Sequence, residues 1–422
     1  MEHQYKVCCG LDVHKKLLVA CLRTGRKTEI RECGASTREI LELADWLLEN
    51  QCECVAMEST GSYWKPVYNI FESCELNPIV VNAQHMRNVP GRKTDIKDAE
   101  WISDLLMNGL LRSSYIPGRQ QRELRELCIY RASLIRTRAA ELNRQQKLLE
   151  GGNFKISGTI SNINGMSGET LMQYIISGEI FDEQAYAKEL KAKRISKRLK
   201  ASPQELVRDM EGCFTPAQSR LLATVVRHTH DLDRLIEDLD RQIEELLQDE
   251  QEEAIELIKG IPGISDRSAQ VIVSAIGTDM SRFPTDKHLC SWGGLCPGNH
   301  ESAGKRKNGR TNKGNKSLKS TLVVCAHSAV MVKDSYFGAM YRRISRRRGK
   351  KKAIVAVAHA MLKTIFHMLK NHEPYHDLGA DFYERQEKEG KVKSCLKKLY
   401  KLGVDLTGSQ IDLMTGKVLL QT

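Results

Sequence analysis

The 422-residue chain contains no run of about 20 apolar residues, so the sequence predicts no membrane-spanning helix. Its first residues, MEHQYKVCCGLDVHKK, lack the basic-then-apolar layout of a secretory signal, and the expected location is therefore the cytosol. A disulfide framework is missing as well. The 13 cysteines, among them Cys8-Cys9 and Cys52/Cys54, are scattered as reduced core residues are. With 41% hydrophobic and 28% charged residues, the bias of a disordered or collagen-like chain is also absent. At roughly 100–200 residues per domain, the length allows two or three domains, each with its own core.

Positive charge is present and localised. The chain carries 65 Lys+Arg against 53 Asp+Glu, a formal charge of +12. Between His300 and Lys352 there are 16 basic and 2 acidic residues, which leaves 49 against 51 for the remainder. All the excess therefore lies in one segment, as a polyanion-binding surface does. Arg342, Arg343, Arg346, Arg347 and Arg348 lead into Lys350–Lys352, and without a partner these charges repel one another. A solvated face is the plain alternative; the density of charge favours nucleic acid.

Along the chain, apolar runs alternate with helical patterns up to about residue 115. Strands are expected at Lys6–Leu11, Leu17–Leu22 and Thr28–Cys33, and the polar turn between the first two at Asp12–Lys16. Ser36 and Glu39 have the spacing of a capping box opening a helix. A strand Cys54–Met57, a helix with Trp64, Tyr68 and Phe71, and a strand Pro78–Val81 follow. Three strands, helix, strand, helix, strand is the element order of an RNase H-like domain, so the expected class is α/β plus α. From Arg119 to Glu150 the pattern is continuously helical, with Leu127, Leu134, Leu142 and Leu149 near heptad spacing. Thr215-Pro216 opens a second long helix whose Val225, Thr229, Leu232, Ile236, Leu239, Ile243 and Leu246 form a 4-3 seam. The seam fits either a coiled coil between chains or an antiparallel partner within this one. The reading divides the chain into 1–118, a helical coiled-coil arm 119–254, a mainly helical domain 255–375 and an extension 376–422.

Four carboxylates stand at positions where chemistry gathers. Asp12 follows the first strand, Glu58 follows Cys54–Met57, and Asp95 and Asp98 lie three apart at a helix start. If the first and fourth strands are neighbours, these groups converge and repel unless hard cations separate them. Mg²⁺ is the expected ion, and two such ions can stabilise both oxygens of an in-line phosphoryl transfer. Singly, each acid reads as a turn former or cap. The turn Gly260-Ile261-Pro262-Gly263-Ile264 joins two helices in helix-hairpin-helix fashion; Gly260 and Gly263 could offer N–H groups to a phosphate, or simply turn the chain. Ser302 lies in a glycine-flanked basic loop with Lys305, Arg306, Lys307, Arg310, Lys313 and Lys316, where cations would serve a nucleophilic hydroxyl. His288, Cys290, Cys296 and His300 have no regular zinc-ligand spacing.

The series GLDVHKK, AMESTGSYW, KTDIKDAEWISDLL, IKGIPGIS…AIG…F and GLCPGNHESAGKRKNGRTNKGNKSLKSTL resembles the DEDD transposases of insertion sequence family 110, relatives of the Piv-type DNA invertases. The resemblance implies a RuvC-like domain with the tetrad Asp12, Glu58, Asp95 and Asp98, and a transposase domain with the nucleophile Ser302. Where the family shows Ser-Gly, this chain has Ser302-Ala303-Gly304. It further implies strand exchange through a 5′-phosphoserine linkage, Mg²⁺ (or Mn²⁺), a structured bridge RNA as guide, donor and target DNA as substrates, and a dimer of dimers in a prokaryotic nucleoid. Two other readings share these residues: a site-specific invertase, and a structure-selective endonuclease in which Ser302 is idle.

Overall fold

The computed structural model describes residues 4–59, 61–81, 95–111, 113–160, 162–197, 199, 201–298, 300–302, 305–308, 310–401, 410–411 and 418–419. For 300–302, 305–308, 400, 410–411 and 418–419 the description is limited to the backbone. The chain forms two compact units, Met1–Arg119 and Gln120–Thr422.

The first unit is a five-stranded mixed sheet in the order β3-β2-β1-β4-β5. It comprises β1 (Val7–Val13), β2 (Leu17–Thr24), β3 (Lys27–Gly34), β4 (Cys54–Glu58) and β5 (Pro78–Val81). β1, β2 and β3 form an antiparallel meander, while β4 pairs parallel to β1, and β5 to β4. The parallel connections run through α1 (Thr37–Glu49) and α2 (Trp64–Ser73). Ser36 caps α1 and Glu39 returns to the Ser36 backbone, the capping box expected from their spacing. Alternation along the strands divides the core. Cys9, Leu11, Val13, Val55 and Met57 pack with Ile40, Leu43 and Leu47 of α1 and Phe71 of α2. Cys8, Cys54 and Ala56 point to the opposite face, against Ile102, Leu106 and Met107 of α3 (Asp95–Met107). Both faces are covered, which explains the unbroken apolar runs in β1 and β4. All 13 cysteines are free thiols, eight of them buried.

The boundary falls at the first residue of α4 (Arg119–Gly151), the rest of which opens the second unit. A small helical lobe follows, of α5 (Ile156–Thr159), α6 (Met166–Ser177), α7 (Glu183–Lys191) and α8 (Pro203–Asp209), with a core including Phe154, Leu171, Phe181 and Leu206. The arm therefore carries a packed lobe between its long helices, which the sequence pattern did not single out. α9 (Pro216–Leu246) then returns along α4. Its seam faces α4, the partner within the chain that the spacing left open as the alternative to a coiled coil between chains: Leu232, Ile236 and Leu239 pack on Leu134, and Ile243 on Leu124 and Cys128. Cross-contacts Arg131–Asp240, Arg138–Asp233 and His228–Glu141 advance along α4 as they retreat along α9, so the pair is antiparallel. Thr229, the polar member of the seam, is buried and donates to the Val225 carbonyl at 2.9 Å. On α4, Leu142 is only half-buried; Arg131, Glu141 and Gln145 occupy inward positions instead.

The rest of this unit comprises α10 (Asp249–Lys259), α11 (Asp266–Ile276), a 3₁₀ turn (Met280–Arg282), α12 (Asp286–Trp292), the hairpin β6 (His300–Ser302) and β7 (Lys305–Asn308), α13 (Lys316–Ala329), α14 (Tyr336–Arg348), α15 (Lys350–Asn371), α16 (Phe382–Lys401) and the short pair β8 (Gln410–Ile411) and β9 (Val418–Leu419). α15 is long and apolar enough to cross a membrane by length and composition, but 56% of that stretch is buried inside the unit. It lies against α12, α13 and α14, the position of a core helix.

Candidate active site

Asp12 lies within β1, opposite Val19 of β2, rather than in the turn after the strand. The β1–β4 register pairs Leu11 with Met57, so the next residues, Asp12 and Glu58, are neighbours across two parallel strands. Continuing the alternation from Cys8 and Gly10, and from Cys54 and Ala56, both belong to the face covered by α3. Asp95 and Asp98 occupy the first turn of α3, where the helix dipole favours negative charge.

Gly10 sets how closely α3 approaches the sheet. A Cβ built there would lie 2.3 Å from both the Ala99 carbonyl oxygen and the Ser103 nitrogen. Only glycine permits the helix backbone to rest on β1 at this point. Arg23 of β2 fixes the outer side of α3: its Nε donates to Ser103 Oγ at 3.2 Å and its guanidinium lies 3.7 Å from Asp104. The helix start is thereby held over the end of β1 where Asp12 stands.

His14 completes this group. Its Nε2 lies 3.1 Å from Asp12 Oδ2 and 3.5 Å from Asp95 Oδ1. Among the described residues, Asp12, His14 and Asp95 are the one set of three or more His, Cys, Asp or Glu whose ligand atoms fall within 4.8 Å of one another. The Glu58 and Asp98 carboxylates stand outside that set, although Asp98 is near enough to act on Asp12. Burial raises the Asp12 pKa; the charges of Asp95 and Asp98 push it the same way, while His14 opposes them. A cation among these oxygens would relieve that repulsion, and carboxylates are the donors a hard ion such as Mg²⁺ takes. The donor chemistry thus fits the ion expected from sequence. His14 was absent from the expected site; the signal was the Asp-x-His spacing at the end of β1.

Ser302 ends β6 opposite Lys305. The base of this hairpin is held by Gly298 N–H to the Arg310 carbonyl at 2.9 Å and Asn312 N–H to the Cys296 carbonyl at 3.0 Å. Gly314 lies so close to Gly294 that a Cβ would meet its nitrogen at 2.4 Å, which locks the loop to the end of α12. The side chains of Ser302, Lys305, Arg306 and Lys307, and all of Ala303 and Gly304, lie outside the described residues. Lys313, Lys316, Arg342, Arg346, Arg347 and Arg348 are exposed, as is Arg310. Arg343 is also exposed, but its guanidinium stacks 4.5 Å from the Tyr383 ring of α16, an intramolecular role absent from the sequence reading.

The 260–264 turn uses its amides internally. Gly260, Ile261 and Ile264 donate to the Leu257, Ile258 and Ile261 carbonyls, and Gly263 rests against the backbone of α13 at Cys325 and Ala329. The Gly260 amide expected for phosphate is therefore committed to the turn. As for the zinc reading, the His288 ring is 2.8 Å from Thr285 Oγ1, and Cys290 donates to the His359 carbonyl at 3.8 Å. The His300 side chain lies outside the described residues.

Two family models match the chain. The DEDD-type IS110 model, described as "Transposase", covers residues 9–153, and "Transposase IS116/IS110/IS902 family" covers 255–342. The chain belongs to the IS110 family of transposases. Among curated relatives, the transposase for insertion sequence element IS1111A of Coxiella burnetii (strain RSA 493 / Nine Mile phase I) is 23% identical over 331 residues, which is 76% of this chain and 79% of that protein. The pilin gene-inverting protein of Moraxella bovis is 28% identical over 122 residues, 28% of this chain and 38% of its own length. The IS110 match thus includes both Asp12, Glu58, Asp95 and Asp98 and, separately, the segment with Ser302. The lobe between α4 and α9 falls largely in the gap between the two models.

Proposed function

We propose that this IS110-family transposase cuts and rejoins DNA through a phosphoserine intermediate on Ser302, with Mg²⁺ held by Asp12, Glu58, Asp95 and Asp98 and sequence read by a structured bridge RNA. The observation that carries the reading is the meeting of Asp12 and Asp95 at one end of the sheet, with Glu58 beside Asp12 in register and Asp98 close enough to raise its pKa. Bound Mg²⁺ would supply Lewis-acid stabilisation of the phosphate undergoing transfer. Ser302 Oγ, losing its proton, forms the bond to phosphorus while the 3′ oxygen leaves and takes up a proton. The phosphoester is conserved, so reversal by another 3′-hydroxyl rejoins strands without ATP. Exposed Arg342 and Arg346–Arg348 would contact phosphates, which position nucleic acid without reading sequence; base pairing to RNA would do the reading. In an assembly, the carboxylates of one subunit would serve the serine of another.

The test is a denaturing gel of the full chain, with its copurified RNA, incubated with DNA bearing the element ends and Mg²⁺. A covalent protein–DNA adduct is expected from the parent and none from Ser302→Ala. Cleavage retained by Ser302→Ala would establish a RuvC-like endonuclease instead. Sequencing the copurified RNA tests guidance: absence of any element-derived structured RNA removes that part. The similarity to the pilin gene-inverting protein favours a second reading, inversion of a host segment. Its product is an inverted segment rather than an excised or inserted one.

A further inference from the structure

We propose that His14 is a nitrogen ligand of the metal at this site, making the first coordination set Asp12, His14 and Asp95 rather than carboxylates alone. The inference rests on the metal-dependent reading above and adds one residue to it.

Three observations meet here. First, adjacent ligands of an octahedral ion with bonds of 2.0–2.1 Å are about 3 Å apart. His14 Nε2 stands 3.1 Å from Asp12 Oδ2 and 3.5 Å from Asp95 Oδ1, so one ion can be held among these three atoms. Second, the ring is delivered by ordered backbone. Asp12 and His14 flank Val13 at the end of β1, and the His14 N–H donates to the Leu17 carbonyl at 2.9 Å, closing the turn into β2. Third, the ring is half exposed, at 50%, so no core packing accounts for its orientation toward the two acids.

A mixed nitrogen and oxygen set has a consequence for metal preference. Imidazole favours transition metals, whereas Mg²⁺ prefers oxygen. His14 would therefore strengthen Mn²⁺ binding much more than Mg²⁺ binding.

The test titrates the full chain, without DNA, with Mn²⁺ and follows bound metal by pulsed EPR, with Mg²⁺ as competitor. The parent should show ¹⁴N modulation from a coordinated imidazole. His14→Ala should lose that signature and bind Mn²⁺ roughly tenfold or more weakly, with Mg²⁺ affinity changed by no more than about twofold. Mn²⁺ bound by the parent with no ¹⁴N coupling, or a coupling that survives His14→Ala, overturns the assignment of His14 while leaving the carboxylate site standing. Mn²⁺ that fails to bind, or binds equally to Asp12→Asn, overturns both this inference and the metal-dependent reading beneath it.

Discussion

Gly10→Ala gives the sharpest test of how the fold builds the site. The added methyl carbon would sit 2.3 Å from the Ala99 oxygen and the Ser103 nitrogen, both backbone atoms of α3. Ordinary contact for such a carbon is about 3.4 Å or more, so α3 must lift from β1 by about 1 Å. Neither neighbour can swing aside as a flexible side chain would. Overpacking of this kind costs typically 1–3 kcal/mol, equivalent to several degrees in the melting of a unit of this size. The functional effect should be larger than the stability effect suggests. α3 carries Asp95 and Asp98 in its first turn, and a displacement of about 1 Å in a catalytic constellation can cost about 10²-fold in rate.

The assay pairs a thermal melt of the full chain with excision of the cognate element, and uses Gly151→Ala as control. At Gly151, the end of α4, an added methyl carbon meets nothing within 4 Å beyond its own helix, and the change should be tolerated in both measurements. The expected outcome for Gly10→Ala is a lower melting temperature and excision reduced by roughly two orders of magnitude. A variant that melts and excises like the parent would refute the close approach of α3 to β1 as the device that positions the acids.

Other perturbations address separate parts of the molecule. Arg131 is 1% exposed and reaches Asp240 and Gln270 at 2.7 Å each, while Asp240 keeps a second partner in Arg267, so Arg131→Met should destabilise the second unit by about 1.5–3 kcal/mol, read by denaturant unfolding; no loss would mean that the buried cation contributes nothing net. Burial pushes the Cys8, Cys52 and Cys290 thiols up to about 12, so at pH 8 they are almost entirely protonated. Iodoacetamide should therefore label exposed Cys213 and Cys395 in the folded protein and reach those three only after unfolding, as mass spectrometry of peptides would show. Replacing Arg346, Arg347 and Arg348 by Gln should flatten the salt dependence of duplex DNA binding by up to about 2.7 in log–log slope, and an unchanged slope would assign these arginines to solvent.

The first unit was legible because its physics is local. Short apolar runs broken by polar turns, and the Ser36/Glu39 box, are properties of neighbouring residues, and they yield the element order that the sheet shows. Placing Asp12 after the strand erred by little, since polarity signals a strand end while pairing to Val19 extends it. His14 escaped notice because a lone histidine near a strand end has no pattern of its own; it acquires meaning only when α3 brings Asp95 within 3.5 Å. The arm divides in the same way. The α9 seam declares itself by 4-3 spacing, but α4 turns Arg131, Glu141 and Gln145 inward, and polar residues at such positions read as surface until the partners Asp240, His228 and Met172 are known. The lobe between the long helices consists of short helices that are stable only together, so no single segment announced it.

That the α9 seam is filled by α4 changes what an assembly of this transposase can use. A parallel coiled coil through Leu232, Ile236, Leu239 and Ile243 would require those side chains to leave Leu124, Cys128 and Leu134, exposing two apolar faces to form one. It would also break Arg131–Asp240 and Arg138–Asp233, leaving the buried guanidinium of Arg131 without its carboxylate. Self-association through the heptad is therefore disfavoured, and the assembly proposed above would have to use other surfaces. The α4–α9 pair suits a spacer instead. At 33 residues and about 1.5 Å per residue, α4 extends about 50 Å and carries the lobe beyond its end. The pair is tied to α11 from both helices, by Arg131 of α4 to Gln270 and by Asp240 of α9 to Arg267. If the arm serves the proposed assembly, deletion of the lobe should change the oligomer of the full chain. Light scattering of that deletion, showing the parent's oligomer unchanged, would count against the arm as an assembly element.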